Sequence, residues 1–334
     1  MVNIKIRLYS SLDSANRHSY YCFMAGKIHN LERLSYPQIE ALDRERTVFV
    51  IAISPLEEHG PHLPVGVDAL NAYFFAEHAA KHIISNHPEY DVALFPLLPV
   101  GTQVYKHIGS FYVRPGTVYD VIYNTGNSLA VYGFKNIFVL TTHGTAKQIV
   151  AIEKACYRVT KKHKARMVCL SGAIIADFLN GKMYEAIARK LGRYYTKEEK
   201  QLLKYDYHAG WWETSMMLKL YPELVDSSYK DLKPYLKNMV TKRVLSEHKQ
   251  WQGYIGAPAM ASTAFAEASI EVFSEISAKI INRFLRGEDI TKDVRSPYYK
   301  YPQFNPFFKR NLSIGAVAVV FLIMIYLIFK AYIV

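Results

Sequence analysis

The stretch Val48–Asp68, VFVIAISPLEEHGPHLPVGVD, decides how this chain is read. It opens with an apolar, β-branched run, Val48–Ile53, of the length of a buried strand. It then breaks into Glu57, Glu58, His59, His62 and Asp68, set among Gly60, Pro61, Pro64 and Gly66. The prolines exclude a helix there. Several groups able to ligate a metal or move a proton therefore sit on a stiff loop at the C-terminal end of a strand. Open α/β sheets bind ligands at that end.

Outward from this loop, strands and helices alternate. A helix over Ala69–Ser85 follows from apolar residues at three- and four-residue steps, then a strand at Asp91–Phe95. A long segment punctuated by Pro and Gly comes next and carries His107; loops of that length in a compact domain are usually functional. Val118–Tyr132 reads as a helix, Asn136–Thr142 as a buried strand ending at His143, Lys147–Lys164 as a helix and Arg166–Leu170 as a fourth strand. This alternation predicts an α/β fold with a mainly parallel central sheet and right-handed crossovers. Glu57, His59 and His143 then share one edge of the sheet.

Upstream, residues 1–47 read as helical and irregular, with Ser35 capping a helix that has Pro37 in its first turn. Downstream, 175–204 is helical, with a capping box starting at Thr196. DYHAGWWETSMML (Asp206–Leu218) leads from a loop into a short helix, and QGYIGAP (Gln252–Pro258) forms a turn before a helix over Ala261–Phe284. The boundaries drawn are a domain over 1–285, a Pro-rich linker over 286–310 and a distinct tail over 311–334.

In that tail, Leu312–Phe329 is eighteen residues without a charge. As a helix it reaches roughly 27 Å, near the thickness of a bilayer core. Lys309 and Arg310 precede it, and Lys330 can snorkel to the far interface. The tail thus reads as a single-pass C-terminal transmembrane anchor that leaves the domain facing the cytoplasm. The N-terminal residues lack the apolar run of a secretory signal.

Composition narrows the classes. The chain has 334 residues, half of them hydrophobic and 21% charged, which suits a folded domain with a sizeable core. Three unpaired cysteines, Cys22, Cys156 and Cys169, fit a reducing compartment better than a disulfide scaffold. The formal net charge is +12, with a local cluster over Lys154–Arg166. That cluster is compatible with a solvated helix face, a membrane surface, a phosphorylated substrate or nucleic acid. No nucleic-acid-binding signature accompanies it, so no nucleic-acid partner is expected.

Glu57, His59, Asp68 and His143, joined by Glu213 and His208 from the later segment, are more oxygen and nitrogen ligands than one tetrahedral zinc needs. They suit two divalent ions sharing a carboxylate, which activate a water for attack on a carbonyl while a histidine passes a proton to the leaving nitrogen.

The same residues resemble a known family. EEHGPHLPVGVD is similar to the creatininase (creatinine amidohydrolase) signature GS-x-EQHGPHLP-x-x-x-D. RPGT at 114–117 resembles the family's FPGT, THG at 142–144 its NGHGGN strand end, HAGWWETSMML its HAGE-x-ETS-x-ML, and GYIGAP its G-x-x-GDP turn. The resemblance runs from about Ser35 to Leu285. It implies a three-layer α/β/α sandwich with two divalent ions per subunit (Zn, Mn or Fe). Glu57 and His143 would hold one ion, His59 and Glu213 the other, and Asp68 would bridge them. His208 would be the acid–base residue. Glu213 is chosen because Thr145 stands where creatininase proper carries the second ion's glutamate. The implied activity is hydrolysis of a non-peptide C–N bond, in a cyclic amide or formamide of small size, and a homo-oligomer is in keeping with the family. This chain departs from the pattern in TTHGTA (Thr141–Ala146), at Trp211, at Ser54-Pro55 and at Ala257. Those departures keep two rivals open: a metallopeptidase trimming a small peptide, and a non-catalytic membrane-docked scaffold.

Overall fold

The computed structural model describes residues 26–236 and 251–333. The sheet has five strands, β1 (Ile28–Asn30), β2 (Thr47–Ala52), β3 (Asp91–Leu94), β4 (Asn136–Leu140) and β5 (Arg166–Cys169). Their spatial order is β1-β3-β2-β4-β5, and every pairing is parallel. The expected parallel sheet is present, with an edge strand added from Ile28–Asn30, a segment too short and polar to read as one. β2 lies at the centre, and Ala52 pairs with Leu140 at the ends of β2 and β4. The chain turns to one side of β2 to form β3 and to the other to form β4. The loops after β2 and β4 therefore flank a topological switch point.

The helices are α1 (Tyr36–Glu40), α2 (Val67–Asn86), α3 (Pro115–Val131), α4 (Ala146–Lys162), α5 (Ser171–Leu179), α6 (Lys182–Lys190), α7 (Lys197–Lys204), α8 (Trp211–Leu220), α9 (Thr263–Leu285) and α10 (Phe308–Ile333). The helical stretch expected over 175–204 is broken at Gly181 and again before Thr196, whose capping box with Glu199 starts α7. Gln38 likewise reaches back to the backbone N–H of Ser35 (2.8 Å) at the start of α1.

Alternation along β2 assigns the two faces. Val48, Val50 and Ala52 pack into a core with α2, α6, α8 and α9, whereas Phe49, Ile51 and Ile53 pack into a second core with α3 and α4. Every residue of β2 is buried. A strand covered on both faces reads as a continuous apolar run rather than an alternation, which is why this one stands out in the sequence. Cys156 and Cys169 are buried in the second core, and burial pushes both thiols up; Cys22 lies outside the described residues.

The segment after α9 runs over the outside of α4. Ile290, Val294 and Ser296 are buried, and the Glu153 carboxylate accepts from the N–H of Ser296 (2.5 Å) and from its hydroxyl (3.0 Å). Gly172 permits this crossing: a Cβ there would lie 2.2 Å from the carbonyl oxygen of Val294. Lys154 of the basic cluster sits over the Tyr299 ring of the same segment, 4.3 Å from its centroid.

α10 forms as a helix, but among the described residues no helix is long and apolar enough to cross a membrane. The expected transmembrane anchor therefore finds no support in the fold. The exposed apolar side chains described on α10 run from Leu312 to Ile325, with Leu327 beyond.

Candidate metal centre

Each element delivers its ligand for a local reason. The loop after β2 is closed by the N–H of Glu57 on the carbonyl of Val65 (2.9 Å) and a bridge between His59 and Leu63. Asp68 follows in the first turn of α2 and is buried. His143 lies just beyond β4. Glu213 sits in the first turn of α8, whose first N–H groups at Trp211 and Trp212 donate to the Asp206 carboxylate (2.6 and 2.8 Å). Gly210 lets the helix start this close: a Cβ there would meet Asp206 Oδ1 at 1.9 Å.

These side chains converge in two groups. Glu57, Asp68 and His143 place ligand atoms within 4.8 Å of one another, and so do His59, His208 and Glu213. Asp68 Oδ2 lies 3.0 Å from His143 Nδ1 and 3.9 Å from His59 Nε2, so one carboxylate faces both groups. His143 Nδ1 is 3.2 Å from Glu57 Oε2, and His59 Nε2 is 3.5 Å from Glu213 Oε2.

Outer contacts fix which atom each histidine presents. His143 Nε2 donates to the carbonyl of Thr102 (3.0 Å), leaving Nδ1 toward Asp68 and Glu57. His59 Nδ1 donates to the carbonyl of Glu57 (2.9 Å), leaving Nε2 toward the centre. Ligating histidines are commonly oriented this way. His59 Nε2 and Glu57 Oε2 are buried without a hydrogen-bond partner, the state of ligand atoms awaiting a cation. Two buried carboxylates, a half-buried one and neutral imidazoles are also the donor set that hard and borderline divalent ions take. The residues fit a two-metal site.

The ion-free electrostatics agree. Burial alone pushes the Glu57 carboxyl up, but His143 outweighs it and holds the group below the ordinary range. Burial acts the same way on Glu213, and His59 outweighs it. Burial depresses His59, yet Glu213, then Asp68 and Glu57, raise it to about 10. His143 is likewise raised well above its usual value, against burial, by Glu57 and Asp68. Protons on the histidines thus do the work of cations among crowded carboxylates.

All six residues singled out in the sequence meet here. His208, read as the acid–base residue, lies in the same group as His59 and Glu213. Its Nε2 donates to the carbonyl of Glu58 (2.7 Å). Glu58 and His62 brace the loop: Glu58 accepts from Gly60 N (3.1 Å) and Trp251 Nε1 (2.7 Å), and His62 Nε2 pairs with the Thr214 hydroxyl (2.9 Å). His107 is exposed and outside the site. Trp211 packs on Phe265, as a core residue.

The altered TTHGTA loop still supports the ligands. Thr142 Oγ1 donates to the backbone carbonyl of Asp68 (2.6 Å), and the Thr145 hydroxyl donates to the Thr102 carbonyl that also holds His143 (3.2 Å). Two neighbours escaped the sequence reading. Tyr105 packs its ring on His208 (centroids 4.4 Å apart), donates its N–H to Glu57, and stacks on Trp251 (4.7 Å). Tyr105 lies in the long segment flagged as functional, but nothing in its spacing separates it from the many other tyrosines.

Comparison with known proteins matches this architecture. A solved structure described as a manganese creatininase superposes with a TM-score of 0.58 at 19% identity, covering 77% of this chain and 99% of its own. A creatinine amidohydrolase (creatininase) gives 0.60 at 20%, over 76% and 97%. A zinc–zinc form of a creatininase mutant gives 0.55 at 18%, over 76% and 97%. At these identities the likeness is one of fold. A comparison with curated protein sequences finds no match. The sequence profile of the creatininase family (creatinine amidohydrolase) matches residues 32–281, three quarters of the chain and every ligand named above, and by that match the chain belongs to the creatininase family.

Proposed function

We propose that the protein is a metal-dependent amidohydrolase that cleaves a non-peptide C–N bond of a small amide. The observation that carries this reading is the pair of orphaned ligand atoms on the loop after β2, His59 Nε2 near Asp68 and Glu57 Oε2 near His143. Glu57, His143 and Asp68 would hold one ion; His59 and Glu213, with Asp68, would hold the second. Two divalent ions in such a site supply Lewis acidity that lowers the pKa of water and polarises an amide carbonyl.

The chain's own residues do the rest. Asp68 faces both groups and sets their separation. His208, fixed by its Nε2–H on the Glu58 carbonyl, keeps Nδ1 as its basic atom and passes a proton to the departing nitrogen. Tyr105 and Trp251 cover that imidazole and limit access of bulk water. Metal analysis of the purified protein, followed by assay with Zn, Mn or Fe against formamides, cyclic amides and short peptides, tests the reading. Turnover of a cyclic amide or formamide supports it. Peptide cleavage alone would make the protein a metallopeptidase, and a metal-free, folded protein would favour a scaffold.

We further infer that the apolar run Leu312–Phe329 attaches the domain to a membrane, with the domain on the cytoplasmic side and the subunits assembling so that their tails meet one bilayer. This rests on the charge-free sequence flanked by Lys309, Arg310 and Lys330, and on the exposure of the α10 side chains described.

A further inference from the structure

Beside the metal centre lies a cavity of about 110 Å³, bordered on one side by Thr142, Gly144, His208 and Glu213. Its opposite wall is apolar. Phe273 stacks between Phe75 (centroids 5.1 Å apart, planes at 21°) and Trp212 (5.4 Å, 22°). Ile174, Ile175 and Phe178 of α5 also line it, and among the described residues no lysine or arginine does. The Asp206 carboxylate at its edge is already engaged by the N–H groups of Trp211 and Trp212. Apolar cavities of roughly 150 Å³ stay dry and take up a benzene ring, so this one is of the size for a phenyl or branched alkyl group.

We propose that this cavity is the specificity pocket of the reaction and takes an uncharged, apolar substituent of a small amide. The proposal rests on the amidohydrolase reading for the bond cleaved, but not for the pocket. An ionised substituent entering it would shed its hydration and meet no counter-charge on the far wall, which costs several kcal/mol. A flat or branched apolar group instead gains contact with the Phe75–Phe273–Trp212 stack. Ile175 stands at the metal side of the pocket, its Cδ1 3.0 Å from where a Cβ on Gly144 would lie. It is half-buried, so a longer side chain there can reach the mouth.

The test uses three matched probes with the full chain: N-benzylformamide, its ring-carboxylate analogue and its ring-aminomethyl analogue. Binding is read on the ion-free protein by calorimetry and tryptophan fluorescence, and turnover on the metal-loaded protein. N-benzylformamide should bind and react at least ~100-fold better than either charged analogue. Ile175→Arg should shift preference toward the carboxylate by a similar factor. Equal or better use of a charged analogue by the unaltered protein overturns the pocket while leaving the amidohydrolase reading standing. Selective binding of N-benzylformamide to the ion-free protein, with no cleavage under Zn, Mn or Fe, supports the pocket and overturns the amidohydrolase reading. Should Ile175→Arg not fold, the binding comparison on the unaltered protein decides alone.

Discussion

His208 Nε2 lies 2.7 Å from the backbone carbonyl oxygen of Glu58, and 3.7 Å from that residue's own carboxylate. The backbone and the side chain of one residue thus both approach the same ring nitrogen. Burial pushes the Glu58 carboxyl up, but His208 and then Trp251 outweigh it and keep the group ionised. The carboxylate in turn holds Trp251, and Trp251 stacks on Tyr105, which covers His208.

Glu58→Ala should therefore lower kcat about 10- to 100-fold with metal content unchanged, the usual size of an outer-contact effect. Glu58→Gln keeps an oxygen for Trp251 Nε1 and should recover much of the loss. Kinetics and metal analysis on both variants check this. Equal loss in the two, or loss of metal in either, would mean that Glu58 acts by some route other than orienting His208.

Glu213 answers a different question. Thr145 brings no carboxylate and turns its hydroxyl to the Thr102 carbonyl, so Glu213 is the carboxylate that would serve the proposed second ion. Glu213→Gln should leave about one ion per site and abolish turnover, because the amide is a poor ligand for these metals. Two ions by elemental analysis with full activity would remove Glu213 from the ligand set.

How far the sequence reaches is visible in these same residues. The strand after Thr47 and the ligands Glu57, His59, Asp68 and His143 were legible because local patterns specify them: an apolar run, a proline-stiffened loop, a strand end. The specific roles of Glu213 and His208 needed the family resemblance, since nothing local ties residue 208 to residue 58. The roles of Glu58, Tyr105 and Trp251 arise from contacts across up to 193 residues of sequence, which no local pattern announces. The three-residue strand β1 was missed because its parallel pairing with β3, not its composition, makes it a strand. The break in the 175–204 helix turns on the backbone at Gly181, where φ is +73°.

Removal of residues 309–334 should leave a folded, active domain in the soluble fraction. The segment before the cut is anchored without α10: Phe307 packs edge-on against Tyr119 of α3 (4.9 Å), and Ser296 is held by Glu153. Fractionation of cells expressing the full and shortened chains checks this. A full chain found in the soluble fraction, or a shortened one still in the membrane fraction, would show that the tail is not the attachment.

Glu153 gives a prediction about pH. Burial under the segment that crosses α4 raises its carboxyl from the ordinary 4.5 to about 7, against the two hydrogen bonds from Ser296. The folded protein therefore binds this proton more tightly than the unfolded chain does. Between pH 4.5 and 7 the folded state carries more protons, so this group's contribution to stability falls as pH rises through that window and is lost above it. The full effect is on the order of 3 kcal/mol. Glu153→Gln cannot ionise, and its amide oxygen still accepts from the Ser296 N–H. Urea denaturation of the full chain at pH 5, 6, 7 and 8 should show that the variant loses part of the downward slope in stability seen with Glu153, and is the more stable of the two at pH 8. Parallel curves for the two proteins across this range would mean that Glu153 is ionised in both the folded and unfolded states, and that its contact with Ser296 offsets its burial.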